Sequence, residues 1–273
     1  SGSFICGRNN MKIMVVWRYL KRTGVFQMAE QNINIAVDTH THTLASGHAY
    51  NTLREMARMA ADKGLSGLAV TEHAPEMPGT CHSFYFQNMR VIPRNMYGIE
   101  LLMGVELNVM DENGSVDLPE SLIRELDIAI ASIHVPCYKD VLGRAEITQT
   151  YINVMEKDHI DIIGHPDDGR VPVDYEVLVK EAKRTGTLLE VNNSSLRPGG
   201  FRQDTRHNAA CMLRLCKKYE TMVVLGSDAH MDVDIANCRY SMEVVDEIGF
   251  PEELVANTSL EKLKACLKRN KKL

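Results

Sequence analysis

Short apolar runs punctuate the chain, and each gives way to a histidine or an acid. Ile33 to Val37 leads into His40 and His42, with His48 just beyond, and Leu65 to Val70 leads into His73. Ile99 to Val105 ends at Glu106, Ile128 to Ile133 at His134, and Ile160 to Ile163 at His165. Met222 to Leu225 then leads into Asp228 and His230. Runs of this length predict buried strands. Parallel strands that all end in a polar side chain deliver those side chains to one rim of a barrel, where strand C-termini meet.

Helical spacing fills the gaps between these runs. Leu53, Met56, Ala57 and Ala60 mark a helix over Asn51 to Lys63, with Gly64 as its stop. Ile147 to Lys157, Tyr175 to Arg184 and residues 203–219 are further amphipathic candidates, and the chain from Ile235 onward reads as terminal helices starting near Pro251 and Thr258. Residues 74–98 hold three prolines and two glycines and read as one long loop, a candidate substrate lid. Asp111 to Ser115 reads as a turn, because Asn-Gly favours positive φ. Strand and helix alternate about seven times, which predicts an α/β architecture with a parallel, right-handed barrel.

Composition narrows the function classes. At 273 residues, 25% of them charged and 44% hydrophobic, the chain can build one substantial core. We expect a catalytic domain over 35–273, preceded by an extension over 1–34 that is flexible or partly vector-derived. There, Lys12, Arg18, Lys21 and Arg22 flank an apolar stretch too short to span a bilayer. No later stretch is long and apolar enough to span one, so no membrane partner is expected. A net charge of −5 disfavours nucleic acid, whose backbone is bound mainly through clustered Lys and Arg. Seven scattered cysteines without a CxxC pair suit reduced thiols and a cytoplasmic location.

The candidate chemistry is metal binding. His40-Thr41-His42 sets two imidazoles on one side of an extended segment, close enough to chelate one cation, with Asp38 positioned to orient a ring. Taken alone, such a pair is more often ordinary surface or core; the other patches reverse that balance. Glu106 is a carboxylate at a strand end, able to bridge two cations, while a solvated glutamate is its plain alternative. Asp228 and His230 repeat the spacing of the first pair, and His134 and His165 sit where Pro136 and Pro166 turn the chain away from its strand. His82, His159 and His207 lack this context and read as an exposed loop histidine, a structural residue and a surface helix residue.

The series Asp38-Thr39-His40-Thr41-His42, Thr71-Glu72-His73, Gly104-Val105-Glu106, Ser132-Ile133-His134, Gly164-His165-Pro166 and Gly226-Ser227-Asp228-Ala229-His230 resembles the PHP (polymerase and histidinol phosphatase) family. Ala45 to Tyr50, the segment from Asn88 to Arg94 and Glu190 to Ser195 resemble its YcdX-type phosphatase branch more narrowly. The resemblance runs from about residue 35 to about residue 260. It implies a distorted (βα)7 TIM-like barrel and three divalent metal ions, usually zinc, with manganese or iron as alternatives. By matching position, His40, His42, Glu106 and Asp228 would hold one ion, Glu106, His134 and His165 the second, and His48, His73 and His230 the third. One departure is Glu72, where the family usually has Asp; the neighbouring ligand position His73 is kept.

The implied activity is hydrolysis of small phosphate monoesters, with a water deprotonated between two cations as nucleophile. Glu106 and Asp228 are the expected catalytic carboxylates. Arg90 and Arg94 are expected to grip phosphate, with ordinary salt bridging as an equal alternative, and Asn193, Ser195 and Arg197 stand behind them. The expected partner is a small phosphorylated substrate, and a homo-oligomer is compatible with the sequence. Histidinol-phosphate phosphatase is the runner-up. Phosphodiesterase or exonuclease work on nucleotides, or a metal-binding protein without turnover, follow behind.

Overall fold

A computed structural model describes residues 33–140 and 143–270. The chain divides into Ser1–Glu30 and Gln31–Leu273. Nearly all of the expected extension over 1–34 therefore lies outside the described residues.

One sheet contains β1 (Val37–Asp38), β2 (Gly67–His73), β3 (Asn95–Met96), β4 (Ile99–Asn108), β5 (Ile128–Ser132), β6 (Ile162–Ile163), β7 (Leu188–Asn192) and β8 (Val223–Gly226). The strands run in the order β1-β2-β4-β5-β6-β7-β8, all parallel, and β3 pairs antiparallel with the start of β4. Around them pack α1 (Leu53–Asp62), α2 (Ser83–Asn88), α3 (Glu120–Ile123), α4 (Arg144–Met155), α5 (Tyr175–Thr185), α6 (Thr205–Tyr219), α7 (Arg239–Ile248) and α8 (Leu260–Cys266). The result is a nearly closed parallel barrel.

Two devices stitch the seam between the first and last strands. Thr41 bridges to Ala229 in parallel register, with the His42 N–H donating to the Ala229 carbonyl at 2.9 Å. Lower down, Asn257 donates to the carbonyls of Val37 (2.8 Å) and Leu225 (2.9 Å) and accepts from the Leu225 N–H (3.1 Å). Its amide replaces the ladder that two short strands cannot complete.

Side chains alternate in and out of a strand, so the apolar residues fix which way the polar ones point. Ala69, Leu102, Ile128, Ile130, Ile162, Leu188 and Val224 share one inner cluster with Leu263 and Leu267, so α8 stoppers the barrel near the N-terminal ends of the strands. Lys268 and Arg269 fasten that stopper to Asp161, just before β6. Leu68, Val70, Met103, Val105, Ala129, Leu189 and Val191 belong instead to the outer cluster under the helices. Continuing the inner parity toward the strand C-termini brings His73, Glu106, Asn108, Ser132, Glu190 and Asn192 into the barrel mouth, all buried. A buried polar layer of this size is costly unless its members are paired.

Most expected elements are present, with shifted ends. The first crossover helix is capped by Thr52, whose hydroxyl and backbone pair reciprocally with Glu55. The turn after β4 is closed by an antiparallel bridge between Val109 and Val116, with Gly114 at φ 72°. The segment 74–98 departs from expectation. It contains α2, capped by the His82 ring accepting from the Phe84 N–H, and then β3, which turns the chain back to the start of β4. Prolines at 75, 78 and 93 bracket this structure without preventing it. Among the described residues, no helix is long and apolar enough to cross a membrane, and Cys81, Cys137, Cys211, Cys216, Cys238 and Cys266 are free thiols.

Candidate metal centre

At the mouth, His73 and Glu106 are register partners across β2 and β4. Six more histidines and Asp228 gather around them. His40 Nε2 lies 3.1 Å from His42 Nε2 and 3.3 Å from Glu106 Oε2, and His42 Nε2 lies 3.5 Å from Glu106 Oε2. Asp228 Oδ1 is 3.7 Å from His40 Nε2 and 3.4 Å from His42 Nε2. Four ligands about 2.1 Å from a tetrahedral zinc are about 3.4 Å from one another, so these donors have the spacing of a tetrahedral set. On the other side of Glu106, Oε1 lies 3.0 Å from His165 Nε2 and 3.3 Å from His134 Nε2. The His48 ring stacks 4.9 Å from His73 and 4.8 Å from His230, with His42 4.4 Å from His230. Donor atoms within 4.8 Å of one another group as His40, His42 and Glu106; His42, His73 and His230; and His73, Glu106 and His134.

Imidazole presents a lone pair on one nitrogen only if its proton sits on the other. Contacts behind the rings hold that proton in place. His40 Nδ1 donates to Glu190 Oε1 at 2.8 Å, His134 Nδ1 to Asn108 Oδ1 at 2.7 Å, and His230 Nδ1 to the Asp228 carbonyl at 3.1 Å. His42 Nδ1 lies 3.1 Å from Ser46 Oγ, which itself donates to Glu72 Oε2 at 2.6 Å. Glu72 also accepts from Thr43 and Tyr85, so its extra methylene relative to Asp reaches a network that grips His42 through a hydroxyl.

Asp38 does not orient a ring, contrary to expectation. It accepts from Ser227 Oγ and the N–H groups of Ser227 and Ala236, pinning the loop after β8 instead. The residue behind His40 is Glu190, which the sequence reading did not single out. Its second oxygen takes the His165 N–H at 2.8 Å and Asn192 Nδ2 at 3.1 Å, and Asn192 continues to Asp228 Oδ2 at 3.2 Å.

The backbone is strained at two of these positions. His165 has φ 29° and Asp228 φ 55°, a region that costs non-glycine residues about 1–3 kcal/mol. For His165 the reason is parity: Ile163 points outward, so regular continuation would send His165 away from the mouth.

The charges are poised for a cation. Burial opposes ionisation of Glu106, but His40, His134 and His73 outweigh it and hold its carboxyl well below the usual range. Burial likewise opposes ionised Asp228, overridden by His40, His42 and Arg202. Burial also pulls His40 down, yet Glu190, Glu106 and Asp228 together raise its pKa well above the ordinary imidazole value. Burial lowers His42 strongly and brings His134 to about 4, leaving each neutral, with a lone pair open to a metal. His73 Nδ1 and Glu106 Oε2 are 2.7 Å apart and buried, yet neither has a hydrogen-bond partner. Two orphaned acceptors converging on one point fit a divalent cation, which would take the place of the His40 proton.

Above the cluster opens a cavity of about 490 Å³ lined by His48, His73, His134, His165, Asp228 and His230, with Arg170, Arg197 and Arg202 on its cationic side. The Arg202 side chain is only 9% exposed, with Nη1 on Ser195 Oγ (2.9 Å) and Asp228 Oδ2 (3.3 Å). The expected phosphate-gripping pair is elsewhere. Arg94 donates to the carbonyls of Met89 and Ile92 and pairs with Asp127, just before β5 and so at the opposite end of the barrel. Arg90 is exposed on the turn after α2 and does not line the cavity. The β3 turn carries Arg94 away. Of the weaker candidates, Arg197 lines the cavity, Ser195 holds Arg202, and Asn193 Oδ1 caps the start of α7. His159 sits with Glu120 and Asp158 at the far end.

Comparison with known proteins gives the same picture. A family model described as the PHP domain matches residues 38–196. A probable phosphatase of Clostridium novyi (strain NT) is 44% identical over 237 residues, covering 87% of this chain and 96% of that protein. One from Caldicellulosiruptor saccharolyticus is 44% identical over 229 residues, covering 83% and 93%. Among solved structures, histidinol phosphate phosphatase from Lactococcus lactis, complexed with zinc, L-histidinol and phosphate, superposes with a TM-score of 0.52 at 16% identity, covering 79% of this chain and 94% of that one.

Proposed function

The chain belongs to the PHP domain family, and on that premise we propose that it is a small-molecule phosphatase working with three divalent cations, zinc first among them and manganese or iron as alternatives. As a metal-dependent phosphoesterase it needs a place for cations, a place for phosphate and a route for the alcohol. The observation that carries the reading is the convergence of imidazole and carboxylate donors at tetrahedral spacing around Glu106.

His40, His42, Glu106 and Asp228 would hold the first ion, Glu106, His134 and His165 the second, and His48, His73 and His230 the third. Bound there, the cations would supply Lewis acidity to water and to the phosphoryl oxygens. Glu106 acts through both oxygens, one toward His40 and His42 and one toward His134 and His165. Arg202 takes the phosphate in place of Arg90 and Arg94. Its Nη1 is committed to Ser195 and Asp228, while Nε and Nη2 make no hydrogen bond among the described residues. A guanidinium with an unused edge matches two phosphate oxygens. Arg170 is fixed by a bidentate pair with Asp168 and adds positive potential nearby. The segments Ala45 to Tyr50 and Glu190 to Ser195 support placement in the YcdX-type branch, and the free cysteines support a cytoplasmic setting.

The test is hydrolysis of p-nitrophenyl phosphate by the full chain. Activity that disappears on chelation and returns with Zn²⁺ or Mn²⁺ is expected; inactivity with every metal would leave a binding protein. A panel of histidinol phosphate, sugar phosphates, nucleotides and short oligonucleotides then ranks substrates.

A further inference from the structure

The outer part of the cavity differs chemically from its floor. Met77, Ile133, Val135 and Pro136 supply apolar surface, and Phe201, from the loop between β7 and α6, lines the same space. Phe201 is 72% exposed, although covering a phenyl ring is favourable by about 1.5–3 kcal/mol. The ring is nevertheless held in place. The guanidinium carbons of Arg170 and Arg202 lie 5.0 and 5.2 Å from its centroid, within cation–π range. Arg170 is pinned by Asp168, and Arg202 by Ser195 and Asp228. An uncovered ring is thus fixed relative to the groups that would hold phosphate.

An ester with its phosphate at Arg202 and the histidine cluster extends its alcohol toward this apolar surface. Against Phe201, Val135 and Pro136 the hydroxyls of a sugar would lose water without gaining partners, and only polar side chains of the same lining such as Ser194, Arg197 and Asp234 could restore them. A ring or alkyl group would cover Phe201, Val135 and Pro136. We propose that this region is a leaving-group subsite for an aromatic or apolar alcohol, with Phe201 as its specificity-determining residue. The proposal rests on the phosphoesterase reading above and adds the substrate class. The cavity as a whole, about 490 Å³, lies within the range of about 300–1,000 Å³ spanned by small-molecule pockets.

Binding of two non-hydrolysable probes to the zinc-loaded full chain, measured by calorimetry, separates the two readings. Benzylphosphonate is expected to bind about tenfold more tightly than methylphosphonate. Phe201→Ala should bring the ratio of the two affinities close to one, while Phe201→Leu should keep part of the benzyl advantage. Equal affinity of the two probes, or a benzyl advantage that survives Phe201→Ala, would overturn the subsite alone. Failure of both phosphonates to bind would overturn the phosphate site as well.

Discussion

Glu190 Oε1 accepts the Nδ1 proton of His40 at 2.8 Å across 150 residues of chain, and Oε2 of the same carboxylate takes the His165 backbone N–H. One buried acid therefore sets the tautomer of one candidate ligand and the backbone of another. Glu190→Ala should weaken metal binding about 10- to 100-fold, the usual cost of losing the partner behind a ligating histidine. Glu190→Gln, which keeps an acceptor and loses the charge, should fall between. Competition with a chromophoric chelator reads both.

Gly226 stands directly behind that carboxylate. A Cβ there would lie 2.1 Å from Glu190 Oε1 and 3.0 Å from the His40 Cβ. The glutamate cannot retreat without releasing His40 or His165. Gly226→Ala should cost about 1–3 kcal/mol of stability in urea unfolding, together with a share of the metal affinity.

The arginines give opposite expectations inside and outside the cavity. Arg202→Ala should cut kcat/KM by on the order of a hundredfold or more, since it leaves phosphate and Asp228 without their buried cation. Arg90→Ala should leave kinetics unchanged. Arg94→Ala should too, losing about 1–3 kcal/mol of stability, from its solvent-screened pair with Asp127 and its hydrogen bonds to the Met89 and Ile92 carbonyls. Steady-state kinetics on p-nitrophenyl phosphate compares all three.

At the seam, Asn257→Ala removes three hydrogen bonds between the first and last strands. At about 1 kcal/mol each, plus the penalty for any buried group left unpaired, the loss should be about 3–5 kcal/mol. Chemical denaturation measures it.

Much of this site was legible because apolar runs register strand ends, and a strand end in a parallel barrel is an address. Glu106 follows Val105 at the predicted place, and β2 carries His73 to meet it. Glu190 could have been found by the same logic: a carboxylate sharing parity with Leu188, inside a run as apolar as Leu188-Leu189-Glu190-Val191, must face a partner. His165 shows the limit of parity, since it reaches the mouth only through a φ of 29° that no pattern announces. Arg90 and Arg94 were misplaced because proximity in sequence to a long segment near the site says nothing about which barrel end that segment visits. The place of Arg94 was decided by the two-residue pairing of β3 with β4. Arg202 and Phe201 sit in Arg197-Pro198-Gly199-Gly200-Phe201-Arg202, a loop at the C-terminal face whose composition marks a turn and hides its contacts.

The most direct test of the central claim is metal content per chain, measured by elemental analysis after reconstitution and dialysis. Three divalent ions per chain are expected for the unaltered sequence, with fewer retained and activity lost in both His42→Ala and Glu106→Ala. Retention of no ion by the unaltered protein, or full activity in Glu106→Ala, would contradict it.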